Sequence, residues 1–386
     1  MKNLKSRYSA NVEIKNPVVI ASCGLTETAE KLKKIEDSGA GSSVMKTLFE
    51  DEKCRKDPAP KYKIIQRGSG KLTSYSFYSY EQASKFGPWE YAEEISKAKK
   101  SVDFPVIGSI ACITEKGWEE YSKLLEEAGA DAIELNLSCP YSDHIRDYRN
   151  KMNEYIKDVL KIVKNSVKID IVCKMTPQLN SPLLTAKIIE ENGADGITSF
   201  SRFAGLDIDI LNEKPVMHGG YAGYGGSYSL LYALRWISEF SPYIKIPVSG
   251  SGGIHNGQDI IKLIMAGADS TQICTLLYLS GFGIIRKLID EIEKFMDEKG
   301  YSSIKDFKSK ICNKILSLHQ VDRTQKVKAD IDSNLCNSCG ICEKICNFNA
   351  ISKTDNEAYY IIENVCSGCG LCVEMCPKKA IYLYQI

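Results

Sequence analysis

Eight of the fifteen cysteines lie at regular spacing near the end of the chain. They form two C-x-x-C-x-x-C-x-x-x-C runs, made of Cys336, Cys339, Cys342 and Cys346 and then of Cys366, Cys369, Cys372 and Cys376. This tight spacing lets three thiolates surround one iron–sulfur cubane, and Gly340 and Gly370 ease the turns between them. Structural zinc sites are the alternative, but they usually pair C-x-x-C elements across a longer loop. The spacing therefore predicts [4Fe–4S] clusters and an electron-transferring redox protein.

The doubled cysteine run resembles that of bacterial two-cluster ferredoxins. In those proteins the fourth cysteine of each run ligates the cluster of the other run. The resemblance implies one cluster on the first three cysteines of the first run and Cys376, and a second on the first three of the second run and Cys346. Asn347 follows Cys346, whereas the second run has Pro377. This departure can alter the turn but removes no ligand.

The chain before about residue 315 alternates short apolar runs with amphipathic stretches. Such runs are typical of parallel strands buried on both faces. There are eight, at Val18–Ser22, Val44–Thr47, Val106–Ile110, Ala132–Asn136, Ile171–Lys174, Gly196–Ser199, Val248–Gly250 and Thr271–Cys274. Eight βα units in about 300 residues predict a (β/α)8 TIM barrel. A doubly wound open sheet is disfavoured, because no G-x-G-x-x-G follows the first run.

A short motif recurs within this part of the chain. Gly129, Gly193 and Gly267 are each followed by Ala-Asp, after a helical stretch and before a strand. Glycine suits the left-handed residue that ends a helix. We assign residues 1–318 to the barrel, 319–329 to a charged linker, and 330–386 to a small α+β ferredoxin-like domain.

Composition excludes several classes of function. The net charge is +1, so neither nucleic acid nor an anionic membrane is expected as a partner. No apolar run approaches the ~20 residues that span a bilayer, and no apolar segment follows the basic N-terminus, as a secretory signal requires. A cytoplasmic location is expected, where clustered cysteines indicate metal ligands rather than disulfides.

Residues able to carry out chemistry follow the ends of the predicted strands, at the mouth where barrel enzymes place their active sites. The segments are Lys46-Thr47, Asn136-Leu137-Ser138-Cys139-Pro140, Lys174-Met175-Thr176-Pro177 and Gly250-Ser251-Gly252-Gly253. In this order they resemble the motifs of the dihydroorotate and dihydropyrimidine dehydrogenase flavoproteins. With the ferredoxin tail attached, the architecture is most similar to bacterial dihydropyrimidine dehydrogenase catalytic subunits.

The resemblance implies that the barrel binds FMN. Its phosphate would lie against Gly250, Gly252, Gly253 and the backbone amides of Cys274 and Thr275, at a helix N-terminus. The family pattern adds Ser22, Thr47 and a glycine loop of Gly223, Gly225 and Gly226. Lys46 and Lys174 would lie near the isoalloxazine, where a cation stabilises the anionic reduced flavin. A lone strand-end lysine is normally a solvated charge, but two at family positions favour the functional interpretation.

Cys139 occupies the position of the family's general acid/base, beside Asn136 and Lys46 as further catalytic residues. A thiol has an unperturbed pKa of ~8.5, so at neutral pH it largely keeps a proton to donate. Hydride would pass between the flavin and one carbon of a C=C bond while Cys139 protonates the neighbouring carbon. The alternative is a buried apolar cysteine, the commonest role of a free cysteine.

The substrate residues depart from the family pattern. Pyrimidine-reducing relatives hold the ring with asparagines from three segments, of which Asn136 keeps one, while Ser79, Ser201 and Arg202 stand at the other two. Serine cannot make the paired contact that asparagine offers a cyclic amide, whereas the arginine fork suits a carboxylate. An outward-facing Arg202 is the alternative. We therefore expect a C=C reductase whose substrate is not simply uracil or thymine but a larger or anionic unsaturated carbonyl compound.

The chain contains no separate nicotinamide-binding domain, so electrons are expected from a flavoprotein subunit or a soluble ferredoxin. Two other functions remain open: dihydroorotate oxidation, with electrons leaving through the clusters, and a non-catalytic electron-transfer subunit. A homodimer is expected by analogy with related barrels.

Overall fold

The computed structural model describes residues 2–56, 60–69, 72–81, 83–137, 151–322, 324 and 326–386. The chain divides into two compact units, Met1–Lys314 and Ile315–Ile386. The first strand of the second unit, Val327–Ile331, includes the last residues of the segment predicted as a linker. The exact domain limits stay a prediction.

Eight parallel strands close into a barrel in the first unit. They are β1 (Val18–Ile20), β2 (Ser42–Val44), β3 (Val106–Ala111), β4 (Ala132–Asn136), β5 (Asp170–Met175), β6 (Gly196–Ser199), β7 (Val248–Ser251) and β8 (Ser270–Ile273). Each strand pairs with the next, and β8 returns to pair with β1. The predicted TIM barrel is thus confirmed. The second strand lies slightly earlier than predicted, so Lys46 follows the strand instead of belonging to it.

Within the described residues, eight longer helices follow the strands around the barrel. They are α1 (Ala29–Asp37), α2 (Pro88–Ser101), α3 (Glu115–Glu127), α4 (Met152–Ser166), α5 (Pro182–Glu191), α6 (Ser229–Phe240), α7 (Gly257–Met265) and α8 (Ile284–Lys299). Side chains of Thr28, Thr114 and Asn256 cap α1, α3 and α7, as expected of N-cap residues. Shorter helices span Lys53–Lys56 and Thr275–Ser280, with 3₁₀ turns at Gly24–Thr26, Ile304–Asp306 and Cys312–Lys314.

The recurrent Gly-Ala-Asp motif connects helices to strands in two ways. Gly129, Gly193 and Gly267 have φ of 93°, 85° and 120°, which confirms the predicted left-handed turn. The aspartate two residues later accepts a hydrogen bond from a backbone amide of the preceding barrel strand. The pairs are Asp131 with Val106 at 2.7 Å, Asp195 with Ile171 at 2.9 Å and Asp269 with Val248 at 3.2 Å. The motif therefore aligns neighbouring strands at the amino end of the barrel.

The two ends of the barrel are closed differently. At the amino end, a hairpin of Ser6–Arg7 and Glu13–Ile14 packs Tyr8 against Val19, Val44 and Ile107 in the interior. At the carboxyl end, two long connections contribute an antiparallel sheet with the strands Lys61–Ser69, Leu72–Tyr80, Ala222–Gly225 and Phe203–Gly205. A small hairpin pairs Ile208–Asp209 with Lys214–Pro215, and Leu48–Phe49 pairs with β3. The antiparallel sheet brings Ser79 opposite Gly223 at the mouth of the barrel.

The second unit is a small α+β module with an internal twofold repeat. Strand Val327–Ile331 pairs with Ile381–Gln385, and Ile351–Lys353 pairs with Tyr359–Ile361. Each cysteine run leads into one short helix, Ile341–Ile345 or Leu371–Met375. The predicted α+β ferredoxin-like architecture is confirmed. Among the described residues of both units, no helix is long and apolar enough to cross a membrane.

Candidate active site

A cavity of about 640 Å³ opens at the carboxyl end of the barrel strands. Most of the residues predicted to bind cofactor or substrate line it: Ser22, Lys46, Thr47, Ser79, Asn136, Lys174, Ser201, Arg202, Gly223 and Cys274. A smaller cavity of about 70 Å³ adjoins it and shares Ser201, Arg202 and Cys274. Gly225, Gly226, Gly252, Gly253 and Thr275 line this second cavity. The fold thus brings together residues that lie far apart in sequence.

The smaller cavity has the glycine-rich lining that a phosphate requires. Gly252 and Gly253 have φ of 112° and 73°, and a Cβ on Gly253 would lie 2.5 Å from the backbone nitrogen of Leu230. Apart from its two chain neighbours, no atom of the described residues lies within 4 Å of the Cβ position of Gly225, so that backbone is open to a ligand. Gly250 lines neither cavity. A Cβ there would meet Ile237 at 3.0 Å, so its size serves the packing of β7 on α6.

Replacing Gly253 with alanine is expected to reduce the flavin content of the purified protein. The left-handed conformation costs a non-glycine residue about 1–3 kcal/mol, and the contact with Leu230 forces the cradle to shift. Flavin absorbance per barrel measures the result. The control is Gly300→Ala, because Gly300 has a φ of 69° but, in the part of the chain that the structure describes, only its chain neighbours lie within 4 Å of its Cβ position. Equal flavin in both variants would contradict the assignment of the cradle.

A buried ion pair lies directly below the main cavity, inside the barrel. Lys174 Nζ is 3.0 Å from Glu134 Oε1, and the other carboxylate oxygen accepts from Tyr8, Thr198 and Gln272 at 2.9, 2.8 and 2.6 Å. Burial alone would raise the pKa of Glu134, but the ammonium of Lys174 and these hydrogen bonds hold that pKa below its usual value. Lys174 is therefore held at the base of the cavity by a charged partner.

Lys46 is also buried, with 8% of its surface exposed, unlike a solvated lysine. Its Nζ donates to the backbone carbonyl of Glu81 at 2.7 Å. The neighbouring Thr47 hydroxyl lies 2.9 Å from both Ser22 Oγ and Ser109 Oγ. These contacts orient the segment that follows β2 toward the cavity, where the lysine presents a positive charge.

Asn136 ends β4 and lines the cavity. Its Oδ1 is buried and has no hydrogen-bond partner within the described part of the chain. A buried acceptor without a partner costs about 1–3 kcal/mol, so the atom is suited to a ligand N–H or O–H. With two cations and a glycine cradle alongside, the lining fits an FMN. Cys139, the predicted acid/base, falls in residues 138–150, outside the described residues.

Sequence reasoning missed a buried carboxylate on the side of the cavity that Ser79 and Arg202 line. Glu81, 6% exposed, lies 3.3 Å from Arg202 Nη1 and accepts hydrogen bonds from Tyr278 at 2.7 Å and Tyr62 at 3.2 Å. Burial opposes its ionisation, but the charges of Arg202 and Lys46 and the two tyrosines lower the pKa of Glu81 to about 2. No local signal marks this residue, because its four partners lie in four other segments of the chain.

Arg202 does not face outward into solvent. It lines both cavities and donates to the Ser79 carbonyl at 3.2 Å and to the Ser79 hydroxyl. Ser79 therefore holds the guanidinium in place, and the structure brings together two of the residues predicted to contact substrate.

Four cysteines of the second unit, drawn from both runs, line one small cavity. A cavity of about 20 Å³ is lined by Cys336, Cys339 and Cys342 of the first run together with Cys376 of the second. The Ala350 and Ala380 amides each lie 3.3 Å from the sulfur of the last cysteine in a run, Cys346 and Cys376 respectively. Converging thiolates with amide donors fit an iron–sulfur cubane.

Comparison with known proteins agrees with this geometry. The family model for dihydroorotate dehydrogenase matches residues 5–296, and the model for a 4Fe-4S dicluster domain matches residues 329–383.

Similar curated proteins include the "Dihydroorotate dehydrogenase B (NAD(+)), catalytic subunit" of Pyrococcus abyssi, 32% identical over 76% of this chain and 95% of the relative. The protein of the same name from Methanocaldococcus jannaschii is 31% identical over 75% and 92%. "NAD-dependent dihydropyrimidine dehydrogenase subunit PreA" of Escherichia coli is 26% identical over 85% and 82%. The barrel motifs, the cavity and these matches together show that the chain belongs to the dihydroorotate dehydrogenase family of oxidoreductases and carries a 4Fe-4S ferredoxin domain.

Proposed function

We propose that this protein is an FMN- and iron–sulfur-dependent oxidoreductase that reduces, or forms, a C=C bond conjugated to a carbonyl or amide. The cavity that unites Lys46, Lys174, Asn136 and Arg202 is the observation that carries the proposal. The similar proteins are named as dehydrogenases of dihydroorotate and dihydropyrimidine, which supports a role in pyrimidine metabolism.

Each residue has a distinct task in the proposed reaction. A bound flavin supplies the hydride, or accepts it in the reverse direction. Lys46 and Lys174 place positive charge at the cavity floor, which favours an anionic reduced ring. Asn136 Oδ1 accepts a hydrogen bond from the bound molecules, and Cys139 transfers the proton at the carbon beside the hydride site. The cavity walls hold these groups in one orientation and so lower the barrier.

Electrons would reach the barrel through two [4Fe–4S] clusters in the second unit. One is assigned to Cys336, Cys339, Cys342 and Cys376, and the other to Cys366, Cys369, Cys372 and Cys346. The similar proteins are named as subunits, which supports an electron-donor flavoprotein subunit or ferredoxin as the partner. We further propose a homodimer in the cytoplasm.

The charged residues Arg202 and Glu81, which line the cavity, support a particular class of substrate. Ser79 stands where pyrimidine-reducing relatives have asparagine, and Ser201-Arg202 stand where they have Asn-Thr. Ser79 is committed to the guanidinium of Arg202. Glu81 keeps its negative charge at neutral pH because its pKa is about 2. It therefore holds the Arg202 side chain in position through their ion pair. A substrate carboxylate can share that guanidinium, which favours an anionic unsaturated carbonyl compound over plain uracil or thymine.

Dihydroorotate oxidation is the second candidate function. It is favoured by the names of relatives that are 30–32% identical, and Arg202 would suit the carboxylate of dihydroorotate equally well.

A substrate panel tests both candidates. The cluster-loaded, flavin-loaded protein is assayed without air using a low-potential donor, with uracil, thymine, orotate and carboxylated enones as substrates. Dihydroorotate is assayed in the oxidative direction with an artificial electron acceptor in place of the donor. We expect turnover of carboxylated compounds, and Arg202→Gln should raise their KM about tenfold or more through loss of a charge-assisted contact. Arg235→Gln, at an exposed pair with Glu239, is the control. Efficient turnover of uracil without preference for carboxylates would contradict the proposed substrate class.

A further inference from the structure

The internal repeat of the ferredoxin unit allows its two halves to be compared position by position. Cys366 follows Cys336 by 30 residues, and the surrounding backbone repeats with that offset. The amide of Asp332 donates to Ala380 at 2.8 Å, and the amide of Ile362 donates to Ala350 at 2.7 Å. Each half also directs one amide to the sulfur of its first cysteine, from Ser338 at 3.5 Å and from Gly368 at 3.4 Å. The backbone environments of the two proposed clusters are therefore closely matched.

One charged contact breaks this symmetry. Lys328 Nζ donates to the backbone carbonyls of Glu363 and Cys366, each at 2.6 Å. The ammonium thus lies against the first cysteine of the second run. The equivalent residue, 30 positions later, is the exposed Ala358 in the hairpin before Tyr359. The first run therefore has no lysine at the matching place.

The strand that carries Lys328 also lies close to the turn of the second cysteine run. A Cβ on Gly368 would lie 2.0 Å from the Val327 carbonyl oxygen, so only glycine allows the strand that carries Lys328 to approach the cysteine turn. The first run has Ser338 at the same place, with a φ of 55°. The sequence difference between Gly368 and Ser338 thus accompanies the difference between Lys328 and Ala358.

We propose that Lys328 raises the reduction potential of the cluster bound by Cys366, Cys369, Cys372 and Cys346. Reduction adds one negative charge to a cluster, and cluster potentials respond to nearby charge and hydrogen bonding. A fixed ammonium one backbone carbonyl away from a ligand favours the reduced state through Coulomb attraction. Lys378 lines the cavity of the other cluster. Lys328 alone therefore does not decide which of the two clusters has the higher reduction potential. The proposal concerns the shift that the charge of Lys328 causes at the second-run cluster.

The test is a potentiometric titration of the full-length, cluster-loaded protein followed by electron paramagnetic resonance. Hyperfine-shifted proton NMR signals of the cysteine side chains distinguish the two clusters. Lys328→Met should lower the midpoint reduction potential of the second-run cluster. The expected change is about tenfold in the reduction equilibrium, which corresponds to about 59 mV for one electron. Lys328→Arg keeps the charge and should leave the midpoint near its original value. Ala358→Lys should raise the midpoint of the first-run cluster.

Iron content and far-ultraviolet circular dichroism check that each variant retains both clusters. If Lys328→Met loses its clusters, Lys328→Arg and Ala358→Lys still decide the question. The proposal is overturned if Lys328→Met shifts neither midpoint or both equally, if Lys328→Arg lowers the potential as much as Lys328→Met, or if Ala358→Lys leaves the first cluster unchanged.

Discussion

Glu134→Ala is expected to lower the free energy of unfolding of the barrel by about 3–5 kcal/mol, because it leaves Lys174 buried without its charged partner. The Glu134 side chain is fully buried, and Lys174 is 10% exposed. Tyr8, Thr198 and Gln272 would lose their common acceptor as well. Urea denaturation followed by circular dichroism, with Glu134→Ala compared to the unmodified protein, measures the change.

Two controls separate charge burial from simple loss of a side chain. Glu119→Ala breaks an exposed ion pair with Lys123 and should change stability little, since surface pairs contribute little. The double variant Glu134→Ala/Lys174→Met should recover part of the loss, because it removes the unpaired charge. If the double variant were as unstable as the sum of both single variants, the ion pair would not be the cause.

Cys139→Ala is expected to slow the chemical step by about 10²–10⁴-fold, the usual contribution of a positioned proton donor. Flavin content and reduction through the clusters should stay unchanged, because Cys139 is assigned to proton transfer alone. The measurement is single-turnover oxidation of the pre-reduced protein by the best substrate of the panel.

The same variant distinguishes an enzyme from an electron-transfer subunit. A pure relay needs no proton donor, so a Cys139→Ala variant that kept its full electron-transfer activity would support the relay. The rate of the chemical step in Cys139→Ser should lie between that of the unmodified protein and that of Cys139→Ala, because a hydroxyl carries a proton but releases it less readily than a thiol. The pH dependence of the rate should then lose the ionisation of the thiol, whose ordinary pKa is ~8.5.

The sequence by itself determined the features that depend on near neighbours. The cysteine spacing predicted the cluster-binding module, since three ligands within seven residues can only surround one metal centre. Eight apolar runs predicted the barrel, because strands buried on both faces must be apolar throughout. Gly129 and its two equivalents predicted left-handed turns for a steric reason that is also local. The family resemblance then placed Lys46, Asn136 and Lys174 at the mouth, where the structure has them.

Only the tertiary structure decided which distant groups share a site. Ser79 and Arg202 lie 123 residues apart, and Glu81 and Tyr278 lie 197 apart. Their charges and hydrogen bonds became visible only after the barrel had closed. Glu81 in an exposed loop would be an ordinary carboxylate. In the barrel, the charges of Arg202 and Lys46 and the hydrogen bonds from the two tyrosines outweigh its burial and make it a fixed anion. The burial of a side chain and its ion pairs depend on all residues that lie near it in space. A local pattern in the sequence does not contain that information.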